Sequence, residues 1–136
     1  MTGKELMDAA LRAREQAYVP YSNYKVGAAL LAADGKVFTG CNIENAAYSP
    51  SNCAERTAIF KAISEGATEF RALAVIADSA DPVTPCGVCR QVMAEFFDPQ
   101  TPVYLGNIKG DMVATTLSEL LPGAFTSQAL TQEGRH

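Results

Sequence analysis

The sequence predicts a three-layer α/β domain built on a mixed sheet, and three observations carry that expectation. Helical and extended segments follow one another in the order α-β-β-α-β-α-β-α. Asp34-Gly35 stands between two runs of small and apolar residues, the strongest short-range hairpin signal, so the sheet opens on an antiparallel pair. Residues 72–78 (ALAVIAD) are apolar until the last, as expected of a central strand covered on both faces.

Thr2-x-x-Glu5 is a capping box that opens a helix over about 2–16, with Leu6, Ala10, Ala13 and Ala17 at helical spacing. Val19-Pro20-Tyr21 breaks it. Strands are expected over 26–33 and 36–41, and the polar segment 42–50 reads as a loop. Ser51 or Asn52 is placed to cap a helix over 53–65 that stops at Gly66. The loop 79–85 leads to a helix over 86–97 whose stripe is Val88, Val92 and Phe96. A short strand over 102–106 follows, and Thr116-x-x-Glu119 caps a last helix ending at Pro122-Gly123. With no repeat, linker or low-complexity segment, residues 1–136 are expected to form one domain, with a mobile tail after about residue 126.

The composition narrows the function. A 48% apolar chain is ordinary for a globular protein, and no apolar run reaches the length of a bilayer span. The amphipathic N-terminus lacks the apolar stretch of a secretory signal, which makes a cytoplasmic protein the expectation. Eleven basic against 15 acidic side chains, with no basic stripe, argue against a nucleic acid partner and leave small ligands open. The only histidine is His136, the last residue, which removes serine–histidine and cysteine–histidine catalysis.

Four cysteines remain, at 41, 53, 86 and 89. In a reducing compartment such a set reads as metal-binding or catalytic more often than as disulfides. Cys53-Ala54-Glu55 and Pro85-Cys86-Gly87-Val88-Cys89 each fall where a loop turns into a helix. The unpaired N–H groups of a helix start favour thiolates, so two such starts presented together make a zinc cradle. Three sulfur ligands leave a fourth tetrahedral position for water, the catalytic pattern, with Glu55 two residues from a ligand and able to move protons. Other readings stand beside this one: a redox dithiol at Cys86 and Cys89, half of a structural zinc site, or a closed site with Cys41 as fourth ligand. Cys41 also reads as a small buried hydrophobe at a strand end.

The stretches Asn42-Ile43-Glu44-Asn45-Ala46-Ala47-Tyr48, Asn52-Cys53-Ala54-Glu55-Arg56-Thr57-Ala58 and Pro85-Cys86-Gly87-Val88-Cys89-Arg90-Gln91 resemble the small, three-cysteine cytidine deaminases. Pro20-Tyr21-Ser22 and Leu120-Leu121-Pro122-Gly123-Ala124-Phe125 extend the resemblance over nearly the whole chain. It implies one Zn2+ per subunit on Cys53, Cys86 and Cys89. It also implies attack of zinc-held hydroxide on ring carbon 4 of cytidine or deoxycytidine. Glu55 then protonates ring N3 and the leaving amine, giving uridine or deoxyuridine and ammonia in pyrimidine salvage. Asn42 and Glu44 match positions that hold the sugar hydroxyls, and the Ala54 N–H one that binds the ring carbonyl oxygen. Ala46 and Tyr48 match positions at a subunit boundary near the sugar 5′ end. Phe125 matches an aromatic that stacks on the base from a neighbouring subunit. Tyr24, at a position more usually phenylalanine, can wall the base equally well. The implied fold is a mixed five-stranded sheet with helices on both faces, and the implied assembly a homotetramer with shared sites. Zinc on three thiolates carries a formal charge of −1, which opposes ionising bound water. Arg56, beside Glu55, is expected to donate to the thiolates and offset that charge. Deaminases of guanine, nucleotides, tRNA adenosine or blasticidin-type antibiotics remain rivals within the superfamily. Asn42 with Glu44 suits a free ribose better.

Overall fold

The computed structural model describes residues 1–130. His136 and the end of the expected mobile tail lie outside the described residues, and the tail's first part, Ser127–Leu130, forms a short 3-10 turn. The chain runs α1 (Gly3–Arg14), β1 (Val26–Ala32), β2 (Val37–Cys41), α2 (Ala54–Ser64), β3 (Phe70–Ala77), α3 (Gly87–Phe96), β4 (Pro102–Asn107), β5 (Met112–Thr116) and α4 (Leu117–Leu120). The five strands form one sheet in the order β2-β1-β3-β4-β5. Only the β3–β4 pair is parallel, with α3 crossing between the two. None of these helices is long and apolar enough to cross a membrane.

Local chemistry explains most boundaries. The Thr2 hydroxyl accepts from the Glu5 N–H and the Glu5 carboxylate from the Thr2 N–H, completing the capping box at α1. Gly35, at φ +93°, turns β1 back into β2 and pairs Leu31 with Val37. The central strand β3 is buried from Ala72 to Ala77, as its unbroken apolar run predicts. The Thr116 side chain accepts from the Glu119 N–H and caps α4.

Alternation along the strands splits the core in two. Ala28, Leu30, Leu73, Val75, Val103 and Leu105 face α2, α3 and α4. Ala29, Leu31, Ala72, Ala74 and Ile76 face Leu6, Met7, Ala9 and Ala10 of α1 on the other side. This is the predicted three-layer arrangement. Two glycines set the spacing of its layers. A Cβ on Gly27 would lie 2.0 Å from the Ala10 carbonyl oxygen of α1, and one on Gly40 would lie 2.5 Å from the Ala54 oxygen of α2.

Three local expectations are corrected. First, β5 is an edge strand that the element-by-element reading of four strands passed over. Its exposed Met112, Val113 and Ala114 show no inside–outside alternation, so its strand character comes from pairing with β4. Second, α2 is capped neither by Ser51 nor by Asn52. The Ser51 hydroxyl accepts from the Asn45 N–H, the Asn52 amide donates to the Thr57 hydroxyl, and Asn52 bridges Ile43 as extended chain. The cap position falls to Cys53. Third, the buried stripe of α3 is Cys89 and Met93 with Phe97 just beyond, one residue later than Val88, Val92 and Phe96, because Cys89 must turn inward.

Candidate metal centre and substrate site

Both helix starts that carry sulfur have a cysteine at the cap. Cys53 (φ −75°, ψ 155°) precedes α2 and Cys86 (φ −70°, ψ 168°) precedes α3, and neither side chain makes a capping hydrogen bond. The first N–H groups of each helix therefore lack the usual side-chain oxygen and leave positive partial charge beside the sulfurs. Ala54, completely buried, supplies the first of these N–H groups in α2. Cys89, also fully buried, stands in the first turn of α3.

The three Sγ atoms lie within 4.8 Å of one another, with Cys53 and Cys86 3.8 Å apart. Zn–S bonds of about 2.3 Å at tetrahedral angles put two sulfurs roughly 3.8 Å apart. The spacing and the thiol donors thus fit a zinc ion, and the described residues add no fourth sulfur, carboxylate or imidazole to the group. Cys41 is not in this group: it sits half-buried at the end of β2, where burial pushes its thiol up and nearby Lys61 opposes that.

The charges around the cluster are ordered. The Cys53 thiol is pulled down to about 5 by a hydrogen bond from Cys89 and, against burial, by the Arg56 guanidinium, whose Nη2 donates to its sulfur over 3.4 Å. Cys89, as donor in that pair and buried beside Glu55, is pushed up. A cation among the sulfurs would displace that proton, since zinc binds thiolates. Burial disfavours the Arg56 charge, yet the Cys53 and Cys89 sulfurs outweigh it and hold the guanidinium protonated. Its buried Nε has no hydrogen-bond partner among the described residues, and the sulfurs of Cys53 and Cys89 are what hold the group there. Glu55 is 4% exposed, and burial raises its carboxyl to about 7 even though its own N–H stabilises the anion.

A second group forms beside the first. The Asn42 side chain accepts from the Val26 N–H over 2.9 Å and donates to the Tyr24 carbonyl over 2.7 Å. Glu44 Oε1 accepts from the Tyr21 and Ser22 N–H groups at 3.0 and 3.1 Å, and Oε2 accepts from the Ser22 hydroxyl. That hydroxyl bond and the two N–H groups hold the carboxyl below its usual range. A cavity of about 380 Å3 opens here, lined by Tyr21, Ser22, Glu44, Asn45, Tyr48 and Ser51. Tyr48 takes a left-handed backbone (φ +64°) and leaves its ring exposed, as Tyr24, Ala46 and Phe125 also are. The Phe125 carbonyl accepts from Gln91 of α3, which ties the C-terminal segment to the helix of Cys89. A larger cavity, about 440 Å3, lies behind α4 among Phe97, Leu117 and Leu121, and no residue predicted for the site lines it.

Sequence reasoning missed Ser22 and Arg90. Ser22 was visible only inside the Pro20-Tyr21-Ser22 motif. Arg90 follows Cys89, and its guanidinium donates to the Pro85 and Leu120 carbonyls, fastening the turn before Cys86 to α4.

The family profile described as "Cytidine and deoxycytidylate deaminase zinc-binding region" matches residues 1–105. The chain is 60% identical over 131 residues to a cytidine deaminase of Sporosarcina psychrophila, covering 96% of each chain. It is 59% identical over 128 residues to the cytidine deaminase of Halalkalibacterium halodurans, covering 94% of this chain and 97% of that one. The crystal structure of the cytidine deaminase from Burkholderia pseudomallei superposes with a TM-score of 0.90 at 54% identity, over 92% of this chain and all of that one. Sequence likeness and backbone thus converge on one family, and the chain is a member of the zinc-binding cytidine and deoxycytidylate deaminases.

Proposed function

We propose that this chain removes the 4-amino group of cytidine and deoxycytidine by hydrolysis, giving uridine or deoxyuridine and ammonia, as a cytoplasmic enzyme of pyrimidine salvage. The observation that carries this is the three-sulfur cluster with a buried carboxyl two residues from one of its members. One zinc ion per chain, held by Cys53, Cys86 and Cys89, would supply polarisation of a water into a nucleophile at neutral pH.

The side chains do the rest. Glu55, at about 7, is suited both to accept the proton of the attacking water and to deliver it. It passes that proton to ring N3 as carbon 4 becomes tetrahedral. It then carries the second proton to the departing amine, so water and the nucleoside leave as ammonia and the uracil nucleoside. The Ala54 N–H binds the ring carbonyl oxygen and fixes the ring's orientation. Asn42 and Glu44 take the sugar hydroxyls, and Tyr24 walls the base. Arg56 compensates the thiolate charge.

Phe125 from a neighbouring subunit covers the base, and Ala46 and Tyr48 lie near the sugar 5′ end at a subunit boundary, so the working unit is a homotetramer. The exposed rings of Tyr48 and Phe125 support this part of the reading. The whole chain forms one domain. The test is to incubate purified protein with cytidine, follow loss of cytosine absorbance with and without chelator, and weigh the particle by light scattering. Turnover untouched by a strong chelator, or a monomer mass with full activity, would contradict it.

A further inference from the structure

We propose that Ser22 is a positioning residue for the sugar, locking the Glu44 carboxylate and the Tyr24 peptide into one fixed unit. The inference rests on the reading that Glu44 and Asn42 take the sugar hydroxyls.

The direction of each hydrogen bond is set. The Tyr24 N–H donates to the Ser22 oxygen over 3.0 Å, so the hydroxyl proton is free to point at Glu44 Oε2. Such a relay polarises along its length, and each bond strengthens the next. The Tyr24 peptide is gripped at its other end, where its carbonyl accepts from the Asn42 amide. One serine hydroxyl therefore sits between the aromatic that walls the base and the carboxylate that takes the sugar.

The turn is shaped for this. Val19 to Asn23 closes through a hydrogen bond from the Asn23 N–H to the Val19 carbonyl, with Asn23 itself left-handed at φ +57°. The closure turns two successive N–H groups, those of Tyr21 and Ser22, onto Glu44 Oε1, an anion nest built from backbone. Without Ser22 those two donors would hold Oε1 alone and leave Oε2 free to swing. With it, both oxygens are pinned and the open lone pairs of Oε2 face a fixed direction. Ser22 is exposed, so removing its hydroxyl takes nothing from the core.

Ser22→Ala should raise KM for cytidine by about five- to tenfold, the scale of one hydrogen bond of ordinary net strength felt through Glu44, and leave kcat within about twofold. With 2′,3′-dideoxycytidine, which keeps only the 5′-hydroxyl and lacks the 2′- and 3′-hydroxyls that Glu44 would take, the same substitution should change KM by less than about twofold. Ser22→Thr keeps the hydroxyl and should restore the cytidine KM. Zinc content and melting temperature, measured alongside, should match the parent protein. An unchanged cytidine KM in Ser22→Ala, a fall in kcat alone, or an equal KM rise for the dideoxynucleoside overturns the role. Glu44→Gln separates the two layers. If it raises KM while Ser22→Ala does not, only the role of Ser22 falls. If Glu44→Gln leaves the cytidine KM unchanged, the sugar-binding reading falls and takes this inference with it.

Discussion

Arg56 places Nη2 3.4 Å from the sulfur of Cys53, which caps the helix turn that carries Arg56. One helix start thus carries a candidate ligand and the cation that stabilises its anion. With the Cys53 thiol at about 5, its thiolate is present above that pH, and loss of Arg56 would move the thiol back up. Arg56→Gln should therefore bind zinc more weakly at pH 6 than at pH 8 relative to the parent, and the acid limb of its rate profile should move to higher pH. Competition against a chromophoric chelator at both pH values measures the first, and a pH–rate series the second. Unchanged zinc content with an unchanged profile would reject the compensating role.

Serine substitutions divide the four cysteines. Changing Cys53, Cys86 or Cys89 to Ser should abolish stoichiometric zinc, because a hydroxyl is a far poorer ligand than a thiolate. Cys41→Ser should keep one zinc per chain, since its sulfur stands apart from the cluster. Metal analysis of the purified variants decides this, and zinc loss in Cys41→Ser would revive the closed four-sulfur site.

Glu55→Gln should hold its zinc and lose turnover by about a thousandfold, the scale of a proton-transfer residue. It should also be more stable than the parent in alkaline solution. The carboxyl is raised from 4.5 to about 7, so the folded state favours its protonated form. The stability this gives is complete below 4.5 and is lost as pH rises through about 7. Metal-stripped Glu55→Gln should then melt higher than metal-stripped parent at pH 8, with the gap closing toward pH 5. Equal melting temperatures at both pH values would show that the carboxyl is better solvated than its burial implies.

The phase of α3 can be tested directly. Met93 is completely buried and Val88 is 58% exposed. Met93→Ala should cost about 2–5 kcal/mol in urea denaturation. Val88→Ala should stay within about 0.5 kcal/mol. The reverse order would restore the stripe that apolar spacing alone suggests.

That error shows where sequence legibility stops. Thr2 with Glu5, Asp34 with Gly35 and Thr116 with Glu119 act through neighbours three residues away or fewer, so their elements were readable. Val88, Val92 and Phe96 form as good an apolar stripe as Cys89, Met93 and Phe97, and only the inward demand of Cys89 chooses between them. The strand β5 was passed over because its exposed residues lack alternation, although Gly110 at φ +103° and the Asn107 side chain, which accepts from the Lys109 and Asp111 N–H groups, build a hairpin turn before it. At the site, Cys53, Glu55, Arg56, Cys86 and Cys89 lie on two short segments and were legible. Ser22 reaches Glu44 across 22 positions, and nothing local in the sequence signals that bond.

The α2 helix must sit closely on the sheet at Gly40. A Cβ on Gly40 would lie 2.5 Å from both the Ala54 oxygen and the Ala58 nitrogen, so Gly40→Ala must push the first turns of α2 outward by roughly 1 Å to reach ordinary contact. Metal–ligand distances in well-formed sites stay within about 0.2 Å of their usual values, and Cys53 is the cap of that helix. Gly40→Ala should accordingly lower zinc affinity by about tenfold or more, besides the 1–3 kcal/mol that overpacking typically takes from stability, roughly. Gly27→Ala is the control, because its Cβ would strike the Ala10 oxygen and Arg14 nitrogen of α1 on the opposite face. It should lose stability to a similar degree and keep its zinc affinity. If both variants lose zinc equally, the metal senses global stability rather than the seating of α2. If Gly40→Ala keeps full affinity, the approach of α2 to β2 is not what places Cys53 against its two partners.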